Sequence, residues 1–140
     1  MNIDNLPREL RYYLLQSCSW MNNEMRQLLH PHGITPKQFN ILQILEERKP
    51  ESLSIQEIRE QLADKMSDAS RLVDRLDKKG LIDKFPSDFD RRSNRARITD
   101  RGSALLSSVH QDPHAIRQII GNRMSDEEVQ TLIALLQRLS

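Results

Sequence analysis

At 140 residues the chain fits one domain, with enough material for one core and too little for two independent ones. A formal net charge of +1 conceals a segregation: residues 65–101 carry 11 Lys/Arg against 7 Asp/Glu, or +4, and the rest of the chain sums to −3. A single cysteine, Cys18, excludes an intramolecular disulfide framework, and 37% hydrophobic residues is lean for a monomer, so part of the apolar surface is expected to be shared with a second copy.

The first expected element runs from about Pro7 to His30, where Leu10, Leu14, Cys18, Met21, Met25 and Leu28 form one stripe at helical spacing. His30-Pro31-His32-Gly33 breaks it. Thr35 then caps a second helix that carries Phe39, Leu42 and Leu45 inward, and Pro36 occupies its first turn. Ser54 caps a short third helix with Ile55, Ile58 and Leu62 on one side. The fourth is expected over roughly Asp64 to Gly80, with Asp64 and Ser67 both available as caps and Lys78-Lys79-Gly80 as its stop.

Two short strands follow, Leu81 to Phe85 and Arg95 to Thr99, the second alternating Ala96 and Ile98 with Arg95 and Arg97. Thr99 can cap a long fifth helix, kinked or interrupted near Pro113. Ser125-Asp126-Glu127-Glu128 is a capping box that opens a leucine-rich last helix. The fold class is therefore mainly α with a small β-hairpin wing: a helix-turn-helix, then a wing, flanked by helices at both ends.

From the turn between the strands into the second strand, Arg91, Arg92, Arg95 and Arg97 fall within seven residues. Guanidinium groups are rarely buried unpaired, so this turn projects into solvent and suits phosphate or a narrow groove. Enzymatic function is not expected: there is no nucleophile–base arrangement, phosphate-cradling glycine loop or dense metal motif, and no cofactor is implied. The N-terminus lacks a secretory pattern, and the longest apolar run, Leu132 to Leu136, is too short to span a bilayer. A soluble cytoplasmic protein without a membrane partner is the expectation.

Three segments in register carry a family resemblance. Ser70-Arg71-Leu72-Val73-Asp74-Arg75-Leu76-Asp77-Lys78-Lys79-Gly80-Leu81-Ile82, the Asp90-Arg91-Arg92 tip, and Ile98-Thr99-Asp100-Arg101-Gly102 resemble the MarR family of winged-helix transcription regulators. The resemblance covers essentially the whole chain. It implies a single domain over 1–140, with a DNA-binding lobe at about 35–100 and dimerisation helices at about 5–32 and 100–140.

The implied partners are double-stranded DNA, a second copy of the chain and a small-molecule effector. On the fourth helix, Lys65, Ser67, Asp68, Ser70, Arg71 and Arg75 are the candidates for the major groove. At the wing, the family's Asp-x-Arg pattern matches Asp90 and Arg92, the carboxylate bracing an arginine that enters the minor groove. Arg91, Arg95 and Arg97 would then lie nearer phosphates, with Thr35, Gln38 and Ser54 as further backbone contacts. Against this stands a solvated face in which Arg71 and Arg75 pair with Asp68, Asp74 or Asp77, and a winged helix used for protein docking.

The resemblance implies a repressor released by a signal, and three local features bear on its nature. Cys18 is a candidate oxidant sensor, although it lies on the apolar stripe. His110 and His114 have the spacing for one metal, with His30, His32 and Glu24 as further donors. Tyr12, Tyr13, Trp20, Arg11 and Arg26 are available to a small amphipathic ligand.

Overall fold

The computed structural model describes residues 5–90, 92–111 and 119–139. In chain order the elements are α1 (Leu6–Leu29), a 3-10 turn (His30–His32), α2 (Pro36–Arg48), β1 (Leu53–Ser54), α3 (Ile55–Gln61), α4 (Ala69–Lys78), β2 (Ile82–Pro86), β3 (Asn94–Ile98), α5 (Asp100–His110), a second 3-10 turn (Gly121–Arg123) and α6 (Asp126–Gln137). Three caps expected from the sequence are in place. Thr35 and Gln38, Ser54 and Glu57, and Ser125 and Glu128 each form a reciprocal capping box.

The start of α4 differs from the expected one. Asp64 closes its own turn instead of a helix, its carboxylate accepting from the Met66 amide at 3.0 Å and its carbonyl from the Ser67 amide at 3.2 Å. The cap is Asp68, which accepts from the Arg71 amide at 3.2 Å, so α4 starts four residues after an Asp64 cap would place it and one after a Ser67 cap. Its end matches the expected stop. Gly80 sits at φ 74, its amide bonded to the Asp77 carbonyl at 2.9 Å and that of Leu81 to the Leu76 carbonyl at 3.1 Å. This paired closure needs a left-handed residue, which glycine supplies.

The sheet has three antiparallel strands in the order β1-β3-β2. The two wing strands each lie one residue from their expected positions. The third strand, β1, is two residues long and pairs Leu53 with Ala96 and Ser54 with Arg95. It was not expected, because two residues are too few to show alternation. Thr99 locks the sheet to the next helix: its hydroxyl donates to the Gly80 carbonyl at 2.8 Å and accepts from the Gly102 amide at 3.1 Å. A Cβ on Gly102 would stand 2.2 Å from the Leu81 carbonyl oxygen, so only glycine permits this approach of α5 to β2.

One apolar core joins Leu29 and Ile34 to α2, α3, α4, the sheet and α5, with Ile41, Leu42, Leu45, Leu53, Ile58, Val73 and Leu76 fully enclosed. The terminal helices contribute little to it. Of α1 only Leu29 is buried, and α6 buries none of its residues. No helix among the described residues is long and apolar enough to cross a membrane. The proline interruption expected at Pro113 lies outside the described residues, as does His114.

Candidate nucleic-acid interface

Helix α4 presents a cationic face because its acidic residues are engaged elsewhere. Asp68 is the N-cap. Asp74 is ion-paired with the Lys84 ammonium of β2, and the Asp77 carboxylate accepts from the Lys84 amide at 3.2 Å. Arg71 and Arg75 are both exposed and form no ion pair among the described residues. The alternative in which these arginines pair with Asp68, Asp74 or Asp77 is therefore not what the chain adopts. A cleft between the start of α2 and α4 is lined by Lys37, Asp68, Arg71, Leu72 and Arg75.

The other residues expected on the fourth helix divide by position. Ser70 is exposed in the first turn. Lys65 precedes the helix, and its ammonium bonds the Glu60 carbonyl at the end of α3. Ser67 is buried at 8% exposure, beneath the turn. The exposed groups of the leading turn are thus Met66, Asp68, Ser70 and Arg71.

In the wing, the Asp90 carboxylate accepts from the backbone amide of Arg92 at 2.9 Å, and the Asp90 carbonyl accepts from the Ser93 amide at 3.0 Å. Asp90 therefore braces the turn, not the Arg92 guanidinium, which is left exposed. The expected carboxylate–guanidinium brace is replaced by a backbone one. Ser87 and Ser93 close the neck of the wing, with the Ser87 amide bonded to the Ser93 carbonyl at 3.0 Å. Arg91 lies outside the described residues.

Arg95 and Arg97 have different surroundings despite standing two apart on β3. Arg95 is half-buried: its Nε donates to Ser52 Oγ and a terminal nitrogen to the Ser52 carbonyl, both at 2.8 Å, with Glu57 at 3.7 Å. It fastens β3 to the β1–α3 segment and is not aimed outward, contrary to its expected place near phosphate. Arg97 is exposed, stacks over the Phe85 ring at 5.2 Å, and stands 3.9 Å from Asp83.

Among the backbone candidates, Gln38 is almost fully buried. Its side-chain oxygen accepts from the Thr35 amide at 3.1 Å and from Lys79 Nζ at 3.3 Å. It ties α2 to the end of α4 and does not face solvent. Thr35 is exposed and Ser54 half-buried; each hydroxyl accepts a capping bond and keeps its own proton to donate.

The features weighed for signalling are scattered. Cys18 is exposed, with Asn22 Nδ2 at 3.6 Å, and so does not occupy the buried setting its stripe position implied. Among the described residues no group of three or more His, Cys, Asp or Glu could hold a metal ion. Tyr12 and Tyr13 lie edge to face on α1, and Arg123 stacks on Trp20 at 4.7 Å. The crevice between α2 and α5 is lined instead by Gln43, Glu46, Glu47, Ser103, Leu106, Ser107, His110 and Gln111. Tyr12 and Tyr13 line a separate cleft with Asn5, Arg8 and Glu9.

Comparison with known proteins converges on one family. The model for the MarR family matches residues 32–93, from the turn before α2 to the wing tip. The HTH-type transcriptional regulator YkoM of Bacillus subtilis is 30% identical over 108 residues, covering 76% of this chain and 68% of its own length. The chain belongs to the MarR family. A second relative in this family, the regulator MhqR of Bacillus subtilis, is 29% identical over 138 residues, covering 94% of this chain and 91% of that protein. The fold matches that of a mutant MarR from E. coli crystallised with operator DNA, with a TM-score of 0.83, 23% identity and 99% of each chain covered. The matched proteins are transcriptional regulators, and no enzymatic family is indicated. The Thr99–Gly102 lock and the Lys78-Lys79-Gly80 stop act on the same place in the fold. Both fix the hairpin against α4.

Proposed function

We propose that this chain regulates transcription as a homodimer bound to a pseudo-palindromic operator, with α4 in the major groove and Arg92 in the minor groove. The observation that carries the reading is the pair of unneutralised arginines on α4. Asp74 and Asp77 are held by Lys84, which leaves Arg71 and Arg75 free for base edges and phosphates. An arginine forking onto a guanine contributes about 1–3 kcal/mol of discrimination. Ser70 accompanies them in the first turn, and Arg97, Thr35 and Ser54 are assigned to phosphates, which position the protein without reading sequence.

Dimerisation is assigned to the terminal segments, about 5–32 and 100–140, with the DNA-binding lobe at about 35–100. Leu10, Leu14 and Leu15 on α1, and Ile133, Leu135 and Leu136 on α6, remain exposed in the single chain. A twofold pair would cover them and set two α4 helices about one DNA turn apart. Repression by occupancy, relieved by a small-molecule effector, is proposed by analogy with the family and draws no support from the geometry.

Fluorescence anisotropy on a labelled random-sequence duplex tests the DNA reading. Binding is expected at low salt, falling linearly on a log–log plot as salt rises, and weaker for Arg71→Ala and Arg92→Ala. Negligible binding by the wild-type chain at low salt would overturn it in favour of a protein-docking winged helix.

A further inference from the structure

Among the described residues, the exposed large apolar side chains fall into two groups. Twelve lie on α1, on α6 or at Leu139, with exposures between 37% and 64%. The remaining two are Met66, at 91%, and Phe89, at 101%. Met66 is two residues ahead of the α4 cap. Phe89 is three residues ahead of Arg92 in the wing.

Neither is exposed because its backbone is loose. The Met66 amide donates to the Asp64 carboxylate at 3.0 Å, and that turn continues through the Ser67 amide onto the Asp64 carbonyl. The Phe89 amide donates to Ser87 Oγ at 3.3 Å, and Ser87 is itself buried and bonded across the wing to Ser93. Each apolar side chain is held out from a pinned turn with an exposed arginine a few residues on in the chain: Arg71 after Met66, Arg92 after Phe89.

We propose that Met66 and Phe89 are DNA-contact residues of a different kind from the arginines. Met66 meets base edges in the major groove, where the thymine methyl is the apolar feature and a thioether chain adapts to it. Phe89 packs on the deoxyribose walls of the minor groove beside Arg92, or wedges partly into a base step. DNA is the occupant because each residue lies within five residues of an exposed arginine assigned to the DNA surface. The apolar faces suited to a second copy lie elsewhere, on α1 and α6. The inference rests on the proposed DNA binding and adds to it a component that salt does not weaken, since an apolar contact releases no counterion.

The test uses the full chain and a duplex recovered by the wild-type chain from a random library. Met66→Ala and Phe89→Ala are expected to keep the wild-type melting temperature, because neither side chain packs in the fold. Each is expected to bind about fivefold to tenfold more weakly while leaving the salt slope unchanged. Arg92→Ala is expected to lower the slope by about 1. Replacing every thymine by deoxyuridine should weaken the wild-type chain and leave Met66→Ala little further to lose. Affinities of both variants within about twofold of wild type, or equal wild-type affinity for the thymine and uracil duplexes, would overturn the assignment while leaving DNA binding intact. Failure of the wild-type chain to bind any duplex would overturn both.

Discussion

The middle of this molecule and its two ends are built on opposite principles. From Leu29 through α5 nearly every large apolar side chain is enclosed, and the polar groups that hold the elements together are paired: Gln38 with Thr35 and Lys79, Arg95 with Ser52, Asp74 with Lys84. In α1, 24 residues bury one side chain, and in α6 the leucines face solvent. The middle is complete as one chain. The ends leave apolar helical faces uncovered in the single chain, as the proposed twofold pair requires. The contrast also explains why a chain with a lean hydrophobic content forms a well-packed lobe: the burial is concentrated between Leu29 and α5.

The largest effect expected from this contrast is on core packing. Leu42→Ala removes a fully enclosed side chain from the centre of the lobe and should cost about 2–5 kcal/mol, measured by urea unfolding. Leu15→Ala on α1 leaves the lobe's own packing untouched and should act through association alone. A lobe equally sensitive to both would break the distinction.

Within the wing the same division separates two arginines three residues apart. Arg95→Ala removes hydrogen bonds to Ser52 and should lower stability by about 1–3 kcal/mol. Arg92→Ala should change stability by no more than about 0.5 kcal/mol and show its effect only in DNA binding. Comparing melting curves and duplex affinities for the two variants separates a fastening residue from a reading one. Equal loss of stability in both would contradict the assignment.

The sequence carried the order of the helices, the capping boxes and the hairpin, because those depend on neighbours three or four residues apart. It did not carry the things decided by residues far away in the chain. Arg95 reads as one more arginine of a basic turn until Ser52 is folded beside it. Gln38 reads as a surface residue in a first turn until Lys79 closes over it. The start of α4 was misplaced for a local reason: Asp64 has the chemistry of a cap, and it spends that chemistry on the turn before the helix. The two-residue strand β1 was illegible because it exists only as a partner for β3. Arg71 and Arg75 were legible as candidates, but their freedom from ion pairs depended on Lys84 reaching back from β2.

The smallest expected effect lies at the start of α6. The backbone amide of Ser125, and then its hydroxyl, hydrogen-bond with Glu128 and hold its carboxyl below the ordinary glutamate value. A depressed folded value means that this capping contribution is present above the ordinary glutamate range and is lost as pH falls through the folded value. An NMR titration of Glu128 should give a midpoint below that of an unstructured glutamate, and Ser125→Ala should move it back up. An unchanged midpoint in this variant, which keeps the Ser125 backbone amide, would mean that the Ser125 hydroxyl does not act on the carboxylate.

The claim on which the whole account turns is that the ends of the chain are completed by a second copy. Sedimentation of the full chain at micromolar concentration, alone and with the duplex it selects, tests this directly. The account expects a dimer in the free protein and two protomers on one duplex. A monomer that binds duplex DNA one to one with undiminished affinity would contradict it.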